Sequence, residues 1–328
     1  MKIFAYEVRD DEKKAFERLA EEYGVELTIS TDVPSLQNAG EVAGFDGITM
    51  LGQGNISREL LEAYKQAGIR FLSTRTIGYN HIDLKAAKDL GIKVCNASYP
   101  PNGVADFTVM MILMSLRHYK QAMWRGYVND FSLKGLQGRD LKDMTVGIMG
   151  TGRIGLQVIK NLTGFGCRIL AYDVFENEEA KSMAQYVDLE TLYRESDIIS
   201  LHMPLLPSTR HIINAESIAK MKDGVIIVNC ARGELTDSNA LVDGIESMNI
   251  GALGMDTMEG EEGIIHADRR TDIIANRNWF YLHQFRNVIM TQHMAFYTVQ
   301  AVDSMVRCGV EGIVKMSQDG TYQTMLTK

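Results

Sequence analysis

Three short segments carry residues that can together reduce a carbonyl next to a carboxylate. Asn229-Cys-Ala-Arg-Gly-Glu234 follows the apolar run Val225–Val228. In open α/β sheets, ligands bind beyond the carboxyl ends of the strands. Arg232 at such a place can grip a carboxylate through two parallel N–H bonds. An Arg pairing with surface acids would look the same, and Gly233 would then mark only a turn. Met255-Asp256-Thr-Met-Glu259-Gly-Glu261-Glu262 follows another strand-like run and holds four acids in seven residues, which also suits a solvated turn. His293 follows a third, Val288-Ile-Met-Thr291, where a satisfied core histidine is the competing reading.

Read together, the segments make a coherent site. Arg232 anchors a substrate carboxylate and polarises the adjacent carbonyl. His293 gives a proton to that carbonyl as hydride arrives, and takes it back in the reverse direction. One of the acids accepts a hydrogen bond from the other imidazole nitrogen, orients the ring and stabilises its protonated form. A nicotinamide cofactor supplies the hydride, so the protein has only to position and stabilise. The other six histidines, His81, His118, His202, His211, His266 and His283, have no comparable setting and read as structural.

The hydride source is written in Thr145-Val-Gly-Ile-Met-Gly150-Thr-Gly152-Arg-Ile-Gly155. An apolar strand turns through Gly-x-Gly-x-x-Gly into a helix. Gly150 permits the tight turn, Gly152 lets the backbone approach a pyrophosphate, and Gly155 lets helix pack on strand. The helix N-terminus offers free amides and a positive dipole end. Asp173 closes the next apolar run, 18 residues past Gly155, where a carboxylate binds a ribose 2′-OH and repels a 2′-phosphate. Residues 174–179 hold no Arg or Lys to receive that phosphate, so NAD is favoured over NADP.

Positioning these groups requires a series of alternating strands and helices. Before the fingerprint, strands are predicted over Lys2–Tyr6, Val25–Ser30, Gly44–Met50 and Phe71–Thr74. Helices are predicted over Asp10–Tyr23 and Ser57–Ala67, with Ser57 placed as the cap. After Pro100-Pro101, one long apolar helix is expected from about Val104 to Met123. A second alternating series opens at Thr145 and supplies six strands. Alternation of this kind implies parallel sheets with crossover helices. The closing helix, Thr298 to about Met316, is too short to be a domain and is predicted to return to the first one.

Bulk properties narrow the function. The chain has 328 residues, enough for two domains, with 45% apolar and 23% charged residues. A formal charge of −8 argues against nucleic acid or an anionic membrane as the main partner. The longest apolar run, Phe107–Leu116, is too short to span a bilayer. Cys95, Cys167, Cys230 and Cys308 lie far apart with no metal-ligand spacing, so no metal is expected. Free thiols and the absence of a signal peptide point to the cytoplasm.

Beyond these derivations, the chain resembles the D-isomer-specific 2-hydroxyacid dehydrogenases, and within them the D-lactate dehydrogenase branch. The likeness runs through Ser73–Asp83, Tyr99–Asp106, Leu141–Gly155, Leu201–Leu205, Asn229–Glu234, Asp256–Glu261 and Gln292–Thr298. It implies a Rossmann NAD-binding domain, residues 101–298, inserted into a flavodoxin-like substrate domain, residues 1–100 with 299–328. It implies Arg232, Glu261 and His293 as the catalytic triad, which selects Glu261 among the clustered acids. Ile77 and Gly78 match the loop that holds the substrate carboxylate, Tyr99 an active-site tyrosine at the hinge, and Phe296 and Tyr297 pocket residues. Arg153, Ile154, Met203, Pro204, Cys230, Ala231 and Asp256 match cofactor-contacting positions. A homodimer is implied, with the long helix after Pro101 near its interface, as is closure of the domains over substrate.

The chain departs from the family pattern at three places. Gln292 stands where Pro is usual, Pro100 where Ser is common, and Met258 where an aromatic is common. None removes a group the mechanism requires, but all bear on pocket shape. The expected reaction is NADH-dependent reduction of a 2-oxo acid to the D-2-hydroxy acid, with pyruvate to D-lactate in first place. Branched or aromatic 2-oxo acids come next, because Met-rich and aromatic surroundings accept a larger side chain. A reading of another class is an NAD-sensing binding protein resembling the family's corepressors, since a fold does not fix a function.

Overall fold

Two parallel sheets arise from the alternation. The computed structural model describes residues 1–327, and the chain divides into one unit of Met1–Pro100 with the chain from Tyr297 onward, and a second of Pro101–Phe296. The first unit holds β1 (Lys2–Ala5), β2 (Glu26–Ile29), β3 (Gly47–Met50), β4 (Phe71–Thr74) and β5 (Lys93–Cys95) in the order β2-β1-β3-β4-β5, all parallel. This is the flavodoxin-like order. Every residue of β3 and β4 is buried, as expected of central strands covered on both faces. On one face, Phe16 and Leu19 of the helix Lys13–Tyr23 pack with Val306, Val310 and Ile313 of the returning helix Val299–Gln318. On the other, Leu60, Leu61 and Tyr64 of the helix Arg58–Gln66 cover Ile48 and Met50.

The second unit holds seven strands: β6 (Thr145–Met149), β7 (Arg168–Tyr172), β8 (Gln185–Tyr186), β9 (Ile198–Leu201), β10 (Val225–Asn229), β11 (Ile250–Met255) and β12 (Val288–Met290). Their order is β12-β11-β10-β9-β6-β7-β8, the Rossmann arrangement with one strand added beyond β11. Six strands were expected. The seventh, β8, is two residues long and pairs only Gln185 with Leu170 and Tyr186 with Ala171, too short to show a period.

Two local expectations are corrected. The apolar stretch after Pro101 is not one helix but two, Asn102–Leu116 and Tyr119–Tyr127, separated at His118, whose φ of +50° ends the right-handed run. A two-residue break, Arg117-His118, leaves apolar periodicity almost unchanged, which is why the pattern reads through it. Ser57 precedes its helix but makes no cap bond; its hydroxyl goes to the Glu59 carboxylate at 2.6 Å. Among the described residues, no helix is long and apolar enough to cross a membrane.

Candidate active site

The site is built at the carboxyl ends of the strands, beginning with the glycine-rich turn. Gly150 has φ +96°, and a Cβ there would sit 2.7 Å from the His202 carbonyl carbon. A Cβ on Gly155 would collide with the Gly150 carbonyl oxygen, so only glycine lets the helix Arg153–Thr163 start this close to β6. Open space surrounds the bare Cα of Gly152. The first intrahelical bond runs from Leu156 N–H to Gly152 O, so the Ile154 and Gly155 amides precede it. A dinucleotide pyrophosphate fits this cradle: room for close backbone approach, and amides at a helix N-terminus.

Asp173 directly follows β7 and reaches back over the same turn. One carboxylate oxygen accepts the Thr151 N–H at 2.6 Å and its hydroxyl at 3.2 Å; the other accepts the Phe175 N–H at 3.2 Å. From β8, the Tyr186 hydroxyl donates to the Thr151 hydroxyl at 2.7 Å. The short edge strand thus steadies the glycine-rich turn. His202 follows β9, with Nε2 2.9 Å from the Ser200 hydroxyl, and burial pushes its pKa down to about 4, so it is neutral at physiological pH. Met203 is buried and Pro204 exposed beside it. Burial first, and then the negative charge of Asp256, raise the Cys230 pKa, so this residue stays a thiol.

At the end of β10 the buried Asn229 latches the next turn: its oxygen accepts the Ala231 N–H at 3.0 Å and its amide donates to the Arg232 carbonyl at 2.7 Å. Gly233 lies on the Met258–Glu259 peptide, where a Cβ would overlap backbone. Arg232 leaves the turn half-buried, with Nη1 donating to the Ala231 carbonyl at 2.6 Å. The acidic segment after β11 divides its labour. Glu259 anchors it, accepting from Arg210 at 2.8 Å and His211 at 2.7 Å. Glu261 Oε2 accepts the Met258 N–H at 2.8 Å, while Oε1 lies 2.6 Å from His293 Nδ1. A carboxylate can only accept, so Nδ1 carries the proton and Nε2 remains for exchange.

His293 stands after β12 with φ +53°, a left-handed backbone that costs a non-glycine residue free energy. Asp256 holds it there. This carboxylate is only 1% exposed and accepts the Thr291 hydroxyl at 2.6 Å and the Met294 and Ala295 amides at 2.8 Å each. On the other side of the turn, His266 Nε2 is 3.1 Å from the His293 carbonyl, and its ring centroid lies 6.1 Å from those of both His293 and Phe296. The structure therefore brings Glu261, His293, Phe296 and Asp256 together, and it adds His266, which the sequence reads as structural.

The family described as D-isomer specific 2-hydroxyacid dehydrogenase, NAD binding domain, matches residues 109–295. The chain belongs to the D-isomer-specific 2-hydroxyacid dehydrogenases. It is 44% identical over 325 residues to the aromatic 2-oxoacid reductase of Clostridium sporogenes, covering 98% of each chain. It is 40% identical over 304 residues to the D-specific alpha-keto acid dehydrogenase of Enterococcus faecium, covering 93% of each. A solved structure of D-2-hydroxyisocaproate dehydrogenase shares 33% identity and superposes with a TM-score of 0.92 over the whole of both chains. The protein is an NAD-dependent D-2-hydroxyacid dehydrogenase.

In this dehydrogenase the unit that begins at Met1 carries the remaining predicted residues. Ile77 and Gly78 form a half-buried turn after β4; the Ile77 carbonyl accepts the Asn96 side-chain amide at 2.7 Å and the Gly78 carbonyl the Thr76 hydroxyl at 2.6 Å. Tyr99 is half-buried. The exposed Tyr297 ring has the Arg9 guanidinium 5.3 Å from its centroid. Burial, and then the nearby Asp11 carboxylate, raise the Tyr297 phenol above its ordinary pKa.

Proposed function

We propose that this dehydrogenase reduces bulky 2-oxo acids, with phenylpyruvate as the model substrate, to D-2-hydroxy acids at the expense of NADH. The observation that carries the chemistry is the 2.6 Å pair between Glu261 Oε1 and His293 Nδ1. His293 donates its Nε2 proton to the carbonyl oxygen as hydride is delivered, and Glu261 stabilises the ring in the required tautomer. Arg232 binds the substrate carboxylate and polarises the ketone. In the unit beginning at Met1, the Ile77 and Gly78 amides are donors for a substrate carboxylate; Tyr99, Phe296 and Tyr297 serve as substrate-binding residues. Gly150, Gly152, Arg153, Ile154, Gly155, Met203, Pro204, Cys230 and Ala231 contact NAD, with Asp173 on the ribose; Asp256 acts on the cofactor side through the turn it holds. The unit beginning at Met1 serves the substrate, and residues 101–296 serve the cofactor.

The larger substrate is favoured over pyruvate by two observations. The relative at 44% identity is an aromatic 2-oxoacid reductase. The flat rings of Phe296 and His266 beside His293 suit an aromatic side chain. NADH oxidation against phenylpyruvate, 2-oxoisocaproate, 2-oxobutyrate and pyruvate, with chiral analysis of products, tests this. The expected result is D-product and a kcat/KM for phenylpyruvate at least about tenfold above that for pyruvate, within the range that pocket fit supplies. Pyruvate as best substrate returns the assignment to D-lactate formation.

We further propose a cytoplasmic homodimer. The four cysteines are free, and Trp124, Tyr127, Phe131 and Leu133 expose 72–83% of their surface on one stretch of chain, apolar area that a second copy would cover. Light scattering should give about twice 36.7 kDa.

A further inference from the structure

Three charged side chains of the unit beginning at Met1, Glu7, Glu12 and Arg75, are buried and have no place in the chemistry above. Glu7 lies just past β1, only 4% exposed, in a left-handed backbone with φ +56°. Its carboxylate accepts four consecutive amides of the loop after β3: Leu51 at 2.5 Å, Gly52 at 2.7 Å, Gln53 at 2.8 Å and Gly54 at 3.0 Å. Arg75 directly follows β4 and is fully buried. Its Nε donates to Glu12 Oε1 at 2.9 Å, and its Nη2 donates to the Tyr6 carbonyl at 3.0 Å, the Glu7 carbonyl at 3.1 Å and Glu12 Oε2 at 3.3 Å. Apolar packing would join these strand ends at lower cost than buried charge and a strained residue. What charge adds is direction: each bond fixes one peptide group.

The peptides so fixed border the turn Thr76–Gly78. Arg75 is its first neighbour in the chain. On the far side, the His81 ring lies against Gly52, where a Cβ would come within 2.7 Å of the imidazole. The His81 carbonyl accepts the Ile56 N–H at 2.8 Å. The loop gripped by Glu7 therefore supports one end of the turn and Arg75 the other. Within it, both carbonyls are occupied by Asn96 and Thr76. Among the described residues, neither the Ile77 nor the Gly78 amide makes a hydrogen bond.

We propose that Glu7 and Arg75 are positioning residues that hold the turn Thr76–Gly78 in the shape that presents its two amides to the substrate carboxylate. This rests on the reading of Ile77 and Gly78 as the carboxylate-binding turn. Preorganised donors of this kind bind an anion without reorganising when it arrives.

The test compares wild type with Glu7→Gln and Arg75→Lys, using phenylpyruvate and its uncharged methyl ester as substrates, NADH binding by fluorescence and Tm by calorimetry. Gln offers one acceptor oxygen and sets an NH2 group against amides that need a second. The expected result is a KM for the acid raised about tenfold, the weight of one charge-assisted bond, with the ester and NADH affinity changed less than about twofold. The acid-over-ester preference then falls. An equal loss on acid and ester, or a folded variant with wild-type preference, overturns the proposal. If both charge variants fail to fold, Asn96→Ala reads the same turn through the Ile77 carbonyl, and an unchanged preference there overturns it equally. A wild-type enzyme that does not distinguish acid from ester would instead refute the carboxylate reading of the turn, and this inference with it.

Discussion

The two units share an architecture and use it oppositely. Both are parallel sheets whose strand ends carry the polar residues. In the unit beginning at Met1, those residues turn inward: Glu7, Glu12 and Arg75 are at most 4% exposed, and all bond to backbone or to each other. In the unit Pro101–Phe296, Asp256 is buried and fixes peptides in the same way, but His293 and Glu261 stay partly exposed, with side-chain exposures of 26% and 12%. One sheet uses its buried charges to fix peptides, while the other also leaves a carboxylate–imidazole pair partly open. A buried, saturated charge is a structural device; a charge saturated on one side only is a chemical one.

The sharpest way to break this comparison is at His293. His293→Ala should lower turnover roughly 10²–10⁴-fold while leaving NADH binding and Tm unchanged; near-normal turnover in steady-state assays would remove the acid–base role. Arg75→Met should do the reverse at the level of the fold. Stranding the buried Glu12 should cost about 3–5 kcal/mol in denaturant unfolding, and a loss below about 1 kcal/mol would place Arg75 with ordinary surface pairs.

Acid sharpens the comparison differently, because each unit encloses one neutral histidine. Burial lowers both His81 and His202 to about 4. The unfolded chain takes up these protons near pH 6.5 and the folded chain does not. Stability is therefore complete above that pH and declines as pH falls toward 4, by roughly 1.4 kcal/mol per unit for each histidine. Urea midpoints at pH 7 and 5.5 should separate accordingly, and His81→Asn and His202→Asn should each flatten the slope. A wild-type midpoint that does not move would show that neither ring is held neutral. The smallest expected effect is at Asp173. Asp173→Ala should reduce the NADH-over-NADPH preference about tenfold, measured as a ratio of kcat/KM values; an unchanged ratio assigns cofactor choice to another residue.

Legibility followed the range of each interaction. The glycine fingerprint and Asp173 were readable because the turn, the helix start and the acid are local or one crossover apart. Arg232 and His293 were readable as strand-end residues, but only as one possibility beside a surface pair and a core histidine. Choosing Glu261 from four acids required the family pattern. In space the choice has a cause: Glu259 is occupied by Arg210 and His211, Asp256 by the turn after β12, and Glu261 alone of the three meets His293. His266 was passed over because nothing in Ile264-Ile-His-Ala-Asp268 signals a neighbour 27 residues away. The strand β8 escaped because two residues carry no period, yet it brings Tyr186 to the glycine-rich turn.

From sequence alone came the two α/β series, the interruption of one by the other, the dinucleotide turn, and the set of residue types able to reduce a 2-oxo acid. Those depend on apolar periodicity and on glycine and acid placed a few residues from a strand end, all properties of short segments. Tertiary structure alone decided which carboxylate meets the imidazole, how Asp256 forces His293 into a left-handed backbone, and that Glu7 grips a loop more than forty residues away. Hydrogen bonds are satisfied within about 3 Å in space, and no local pattern records which distant strand end will supply the partner.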